Sequence, residues 1–112
     1  LALSQDDVTL DGWAIEARVY AEDPYRGFLP SIGRLTRYRP PAERSAGGFT
    51  VRNDTGVFEG AEISMFYDPM IAKLIVHEAD RSTAIDSLKD ALDGTAVWPV
   101  KSNAGFLYKL LE

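Results

Sequence analysis

One arginine and one lysine in this sequence have both the chemical type and the setting to take part in chemistry. Arg52 closes the predicted strand Phe49–Arg52 and precedes the turn-forming letters NDTG, so we expect it at the rim of a sheet, where functional side chains concentrate. Lys73 lies inside MIAKLIVHEA, the most apolar run of the chain. A guanidinium always carries its charge, whereas a lysine in an apolar strand needs a partner or a route to water. Each also has a plain structural explanation: a solvated strand-end arginine, and a lysine stem that covers the edge of the core.

The other candidates for catalysis or metal binding are weaker. His77 is the only histidine and sits near the end of the same apolar run, and a single histidine makes a poor metal site, so it is predicted to be structural. Glu16 and Glu22 could be considered a pair of catalytic carboxylates. In an extended strand, however, they would lie about 20 Å apart at roughly 3.3 Å per residue, too far to act on one bond.

Motifs and composition exclude several classes of function. The sequence contains no GxxxxGK[ST], GxGxxG, HExxH or serine-elbow motif, so the usual nucleotide, metal and hydrolase signatures are absent. There is no cysteine, which rules out disulfides and favours a cytoplasmic location. A net charge of -5, with scattered Lys and Arg, argues against nucleic acid as a partner. No apolar run approaches the ~20 residues that span a bilayer, so no membrane partner is expected.

Length and composition describe one ordinary domain. The 112 residues are 46% hydrophobic and 26% charged, enough for one core but few for two, so residues 1–112 are predicted to form a single domain. The chain starts with LALSQDDV and not with Met, and we expect it to be a piece of a longer protein.

Strands are predicted to occupy the first two thirds of the chain. Apolar and other residues alternate from Trp13 to Tyr20, as in a half-buried strand that ends near Asp23–Pro24. Further strands are predicted over Leu35–Tyr38, Phe49–Arg52 and Glu62–Tyr67, with PPAERSAGG as a loop whose mobile tip is Ser45–Gly48 and NDTG as a turn. The run from Met70 is predicted to be a central strand covered on both sides.

Helices are predicted only at the end of the chain. Asp80 is a suitable N-cap, apolar residues then recur at helical spacing, and Gly94 supplies the stop. A last short helix is predicted to begin at Ser102 or Asn103 and to bury four residues: Phe106, Leu107, Leu110 and Leu111. Strands followed by helices predict an α+β fold, an antiparallel β-sheet with C-terminal helices packed on one face.

Six segments carry a resemblance to a known family. They are GWAIEARVYAEDP, FLPSIGRLTRY, VRNDTGV, EISMFYDPMIAKLIVH, DRSTAIDSLKDAL and VKSN. Their order and spacing resemble the C-terminal domain of biotin carboxylase, from about Gly12 to Leu111. Within that family the chain looks most like the biotin carboxylase subunit of acyl-CoA carboxylases of the propionyl-CoA or acetyl-CoA type.

The resemblance implies a role for Arg52 and a set of missing parts. The family's arginine in the VR pair that follows the glycine-rich loop matches Arg52, which would hold the ureido oxygen of carrier-bound biotin as negative charge accumulates there. ATP and its Mg or Mn ions would bind in an ATP-grasp domain that this sequence lacks, so the isolated fragment is expected to be inactive. The implied partners are the ATP-grasp and N-terminal domains of the same chain, the biotin carboxyl carrier domain, the carboxyltransferase subunit and, in some cases, a second copy of the chain.

Two classes of function therefore stay open. In the first, the chain is part of an enzyme that carboxylates carrier-bound biotin with ATP and bicarbonate, and Arg52 lies on a concave wall with its head free. In the second, it is a non-catalytic assembly module that offers a flat apolar patch, and Arg52 is idle.

Overall fold

Short and long strands precede the first helix in the structure, and one further short strand lies between the two helices. The computed structural model describes residues 2–47 and 49–112. The helices are α1 (Arg81–Asp93) and α2 (Ala104–Leu110). In chain order, the strands are β1 (Trp13–Tyr20), β2 (Glu22–Asp23), β3 (Leu29–Pro30), β4 (Gly33–Arg34), β5 (Arg37–Arg39), β6 (Arg44–Ala46), β7 (Phe49–Thr55), β8 (Glu62–Ile63), β9 (Met70–Glu78) and β10 (Ala96–Trp98).

The main sheet has four antiparallel strands in the order β1-β9-β7-β6. Ile75 at the middle of β9 lies opposite Glu16 of β1 on one side and Arg52 of β7 on the other. Lys73 likewise lies between Arg18 and Asp54. Residues paired across antiparallel strands share a face of the sheet, so these side chains belong to one face.

The opposite face packs against the helices and forms the core. We call it the covered face; at its centre Val19, Leu74 and Val76 have no exposed surface, and Leu88 of α1 is almost as deeply buried. We call the face that carries Arg18, Arg52, Asp54 and Lys73 the open face. Helices on one face of an antiparallel sheet confirm the predicted α+β fold.

Helix α1 begins and ends where the sequence predicts. The Asp80 carboxylate accepts hydrogen bonds from the Thr83 amide at 2.9 Å and from the hydroxyls of Ser82 and Thr83. These bonds, that of the Thr83 amide first, lower the pKa of Asp80 from 3.8 to about 2. Gly94 caps the other end with its amide bonded to the Asp90 carbonyl.

Helix α2 is held by its N-cap rather than by deep burial. The buried Asn103 side chain accepts from the Tyr20 amide at 2.8 Å and donates to the Arg18 carbonyl at 3.1 Å, which fixes the helix to β1. The prediction that Phe106 and Leu110 are buried is wrong, since both side chains are exposed; Leu107 and Leu111 are partly buried. A seven-residue helix has only about two turns, so a narrow apolar stripe reaches the core.

Several predicted strand boundaries are wrong. Of the predicted strand Leu35–Tyr38, only Arg37 and Tyr38 lie in a strand, β5, which pairs with β10; Leu35 directly follows β4, which pairs with β8. Strand β8 ends at Ile63, well before Tyr67. The predicted mobile loop tip was Ser45–Gly48. In the structure Ser45 and Ala46 belong to strand β6, which pairs with β7, and Gly48 lies outside the described residues. These short strands form because they pair with segments that are distant in the sequence. A local sequence pattern contains no information about such pairing.

The prediction that β9 is covered on both sides is only partly right. Its covered-face residues are buried, but Lys73, Ile75 and His77 on the open face are half-buried. Neither of the helices in the described residues is long and apolar enough to span a membrane.

Candidate functional site

Arg52 lies in the middle of a strand and not at its end. The predicted turn NDTG is a strand as far as Thr55, because Asn53, Asp54 and Thr55 pair with Leu74, Lys73 and Ala72 of the central strand. The strand ends at Thr55, whose hydroxyl donates to the Ile71 carbonyl at 2.8 Å, and the chain turns after this residue. Pairing with a central strand outweighs the local turn preference of Asn, Asp and Gly. Arg52 therefore projects from the interior of the open face.

The Arg52 guanidinium is held by Asp54 through a two-point contact. Nε donates to Oδ1 at 2.9 Å, and Nη2 donates to Oδ2 at 2.7 Å. Residues two apart on a strand point to the same face, so the strand itself brings the two side chains together. The hydrogen bonds and the attraction between the charges raise the pKa of Arg52, and the same hydrogen bonds lower the pKa of Asp54. Both side chains remain about half exposed, at 58% and 46%.

The contact with Asp54 occupies the Nε–Nη2 edge of the guanidinium and leaves the Nη1–Nη2 edge available. Among residues 2–47 and 49–112, no group accepts a hydrogen bond from Nη1 of Arg52. Nη1 and the second hydrogen of Nη2 form a two-donor edge, which suits an oxygen that carries negative charge. The expectation that the head of Arg52 is free is therefore only partly right, because Asp54 occupies the other edge.

Further charged side chains flank this pair on the open face. Arg18 and Glu16 of β1 form a second pair of residues two apart, with Nε and Oε1 separated by 3.3 Å. Lys73 stands opposite both Arg18 and Asp54, is half-buried, and has no carboxylate within ion-pair distance in the described residues. The prediction that its stem packs along the sheet with a hydrated head is compatible with this placement.

The concavity predicted around Arg52 is limited in this chain. A shallow depression on the same two strands is lined by residues of β7 and β9 that include Asp54, Met70 and Lys73, and by Gly56 after β7, but Arg52 does not line it. Other domains would have to supply the remaining walls of an enclosed site.

The other sequence candidates do not join Arg52. Nε2 of His77 lies 2.6 Å from the Asp11 carbonyl, a contact to the segment before β1. Glu16 lies on β1, where it pairs with Arg18, and Glu22 lies on β2. Within the described part of the chain, no three His, Cys, Asp or Glu residues could hold a metal ion together.

Two features of the structure escaped sequence reasoning. One is Asp54, whose relation to Arg52 was hidden by assigning NDTG to a turn; an Arg-x-Asp spacing inside a strand is the signal that could have found it. The other is Glu78, which is buried and accepts from Arg44 Nη2 at 2.6 Å and from the Ser87 hydroxyl. Glu78 joins β6, β9 and α1 from the covered side, which makes it structural.

Comparisons with known proteins identify the family to which this chain belongs. A family model described as the biotin carboxylase C-terminal domain matches residues 16–112. The propionyl-CoA carboxylase alpha chain of Ruegeria pomeroyi is 54% identical over 127 residues, with 100% of this chain and 19% of that protein covered. The human mitochondrial propionyl-CoA carboxylase alpha chain is 45% identical over 108 residues, with 96% and 14% covered. The chain thus spans less than a fifth of the length of these relatives.

Solved structures show the same fold. The biotin carboxylase domain dimer of 2-oxoglutarate carboxylase from Hydrogenobacter thermophilus, solved with MgADP, ADP and bicarbonate, matches with a TM-score of 0.90 and 39% identity, covering 99% of this chain and 23% of that one. The biotin carboxylase of Campylobacter jejuni, solved as a complex with beta-gamma-ATP, matches with a TM-score of 0.88 and 36% identity, covering 99% of this chain and 24% of that one.

Proposed function

Because the chain belongs to the biotin carboxylase C-terminal domain family, we propose that it supplies one wall of the site where carrier-bound biotin is carboxylated with ATP and bicarbonate. The observation that carries the proposal is the two-donor edge of Arg52, presented from the open face of the sheet. Arg52 matches the family's VR arginine, and its charge does not depend on pH in the physiological range.

The fit of biotin to this edge follows from the chemistry of the ureido group. Biotin supplies the nitrogen that receives the carboxyl group, and removing the proton from that nitrogen shifts negative charge to the ureido oxygen. The Nη1 and Nη2 donors of Arg52 can bind this oxygen from two directions and stabilise the charge as it develops. Arg52 acts here as an electrostatic stabiliser and moves no proton.

ATP, its Mg or Mn ions and bicarbonate are proposed to bind in another part of the longer protein. The described residues of this chain contain no cluster of metal ligands. The biotin carboxylase domain of Hydrogenobacter thermophilus 2-oxoglutarate carboxylase, of which this chain covers 23%, was solved with MgADP, ADP and bicarbonate. The isolated chain is therefore expected to cleave no ATP, and bicarbonate-dependent ATP cleavage by it would contradict this assignment.

The proposed parent is the biotin carboxylase subunit of an acyl-CoA carboxylase, of the propionyl-CoA type. Relatives named as propionyl-CoA carboxylases support this, although a rice methylcrotonoyl-CoA carboxylase subunit is also 48% identical. The proposed partners are the ATP-grasp and N-terminal domains, the biotin carrier domain and a carboxyltransferase subunit. Assaying the assembled carboxylase with propionyl-, acetyl- and methylcrotonyl-CoA would identify the acyl group.

The central test uses Arg52→Ala and Arg52→Lys in the intact carboxylase. Loss of one preorganised donor group lowers turnover by ~10²–10³ in comparable sites, so we expect biotin carboxylation to fall by that factor in Arg52→Ala. Arg52→Lys is expected to restore little, because an ammonium lacks the planar fork. The thermal midpoint should not change, since Arg52 is solvent-exposed.

A matched control is Arg39→Ala, which removes an exposed strand arginine from β5, outside the main sheet. It should leave turnover unchanged. Activity of Arg52→Ala within about threefold of wild type, or a loss explained by melting, would contradict the role of Arg52.

One observation favours an additional role as a contact surface. Phe58, Met65, Phe66 and Tyr67, in the segments on either side of β8, are all more than two thirds exposed. Large apolar side chains in such number suit contact with a neighbouring domain or subunit. A pure assembly module would need this segment but not Arg52, so the Arg52→Ala assay distinguishes the two functions.

A further inference from the structure

We infer that Asp54 is a positioning residue for the carboxylation reaction: it holds Arg52 so that the Nη1–Nη2 edge faces the reacting oxygen. This inference rests on the proposed function of Arg52 and extends it to the residue that binds the Arg52 guanidinium.

The geometry of the pair supports the inference. Asp54 binds Nε and Nη2 with separate carboxylate oxygens, at 2.9 and 2.7 Å, which fixes both the position and the plane of the guanidinium. A single contact would leave the group free to rotate about one bond. The backbone beneath Asp54 is fixed as well, because Asp54 pairs with Lys73 in the central part of the sheet.

The direction of the contact matters as much as its strength. Asp54 takes the Nε side of the guanidinium, so its negative charge stands on the side away from the Nη1 donors. An oxygen bound at Nη1 and Nη2 would lie on the neighbouring edge of the guanidinium and would use the other hydrogen of Nη2, the one nitrogen that the two edges share. Asp54 therefore orients Arg52 without competing for the edge that stabilises the developing charge.

A long arginine side chain on an exposed surface has no fixed orientation unless another group holds it. The Arg52 side chain is about half exposed, and in the described residues only Asp54 is hydrogen-bonded to its guanidinium. Without Asp54 the side chain would sample several rotamers, and its donors would have to be ordered as the reaction proceeds. Catalytic donors are effective when they are already in place as charge develops.

Lys73 is the competing explanation for Asp54. It stands opposite Asp54 and contributes to lowering the pKa of that carboxyl, but no ion pair joins the two side chains. If Asp54 served only to balance the charge of Lys73, its removal would not affect turnover through Arg52.

The experiment uses the intact carboxylase with free biotin as the probe. Asp54→Ala, Asp54→Asn and Asp54→Glu are made in the wild type, and Asp54→Ala is also made in the Arg52→Ala background. Removing a residue that orients a catalytic group commonly lowers activity by about 10–100-fold. We expect Asp54→Ala to lower kcat by that factor with little change in KM for biotin, and Asp54→Glu to retain more activity than Asp54→Ala.

Non-additivity is the decisive readout. In the Arg52→Ala background, Asp54→Ala should cause no further loss, because Asp54 acts through Arg52. Glu16→Gln is the matched control, since it removes a carboxylate from the other Arg–carboxylate pair of the open face, and its kcat should equal that of the wild type. If Asp54→Ala lowers the thermal midpoint, Asp54→Asn, which keeps the shape of the side chain, gives the deciding comparison.

Failures of the two proposals are distinguishable. Full activity of Arg52→Ala would overturn the proposed function itself. Loss of activity in Arg52→Ala together with kcat within threefold of wild type for both Asp54→Ala and Asp54→Asn would overturn only the inference about Asp54. An equal loss from Asp54→Ala in both backgrounds would do the same, because Asp54 would then act independently of Arg52.

Discussion

The covered and open faces of the main sheet are built from alternate residues of the same strands, yet they have opposite character. Val19, Leu74 and Val76 on the covered face are fully buried, while Arg18, Arg52 and Asp54 on the open face are about half exposed. The period of two along a strand separates the side chains that stabilise the fold from those that can meet a ligand. Changes on the covered face should therefore alter stability, and changes of Arg52 and Asp54 on the open face should alter chemistry.

The largest effect on stability is expected for Leu74→Ala on the covered face. Leu74 is fully buried at the centre of the core, so the substitution leaves a cavity and should cost about 2–5 kcal/mol. The thermal midpoint of the carboxylase should fall, while kcat per folded molecule at low temperature stays near that of wild type. A stable but inactive Leu74→Ala protein would break the division between the faces.

A smaller loss of stability than for Leu74→Ala is expected for Glu78→Ala, which removes a buried polar group on the covered side. Glu78 is 4% exposed and its removal deprives Arg44 and Ser87 of their partner, but Arg44 is half exposed and can turn to water. We expect a loss of about 1–3 kcal/mol in stability, measured by denaturation. Glu78→Gln, which keeps the shape and one acceptor, should lose less, and equal losses would show that packing alone matters here.

Lys73→Met tests whether a half-buried charge on the open face is structural or part of the site. The swap nearly conserves volume and removes a charge that forms no ion pair in the described residues, so stability should change by at most ~1–2 kcal/mol in either direction. Turnover should be retained. A stable but inactive variant would mean that Lys73 belongs to the site.

The smallest effect is expected at the cap of α1, outside both faces. Because folding lowers the pKa of Asp80 from 3.8 to about 2, the charged carboxylate stabilises the fold above pH 3.8, and this contribution is lost as the pH falls toward 2. Asp80→Asn cannot titrate, so its thermal midpoint should depend less on pH between about pH 5 and pH 3 than that of wild type. Parallel curves for the two proteins would contradict this assignment.

Sequence alone predicted the elements with strong periodicity and left others unresolved. Strand β1, strand β9 and helix α1 follow from alternation, an apolar run and a capped helical pattern. Strand β6 and the second half of β7 could not be predicted, because their residues favour turns locally and become strands only by pairing with distant partners.

The same limit applies to the site. Arg52 was identified from its match to a family motif, while its partner Asp54 was missed, because the relation between them exists only if both belong to one strand. Pairing of β7 with β9 creates that relation.

The most direct test of the division between the faces is to measure two activities of Arg52→Ala in the intact carboxylase. One is bicarbonate-dependent ATP cleavage without biotin, and the other is carboxylation of free biotin, both recorded with the thermal midpoint. Since Arg52 is proposed to act only on the ureido oxygen, we expect ATP cleavage and the midpoint to match the wild type while carboxylation falls by ~10²–10³. Unchanged carboxylation, or a parallel loss of both activities with a lowered midpoint, would contradict the account.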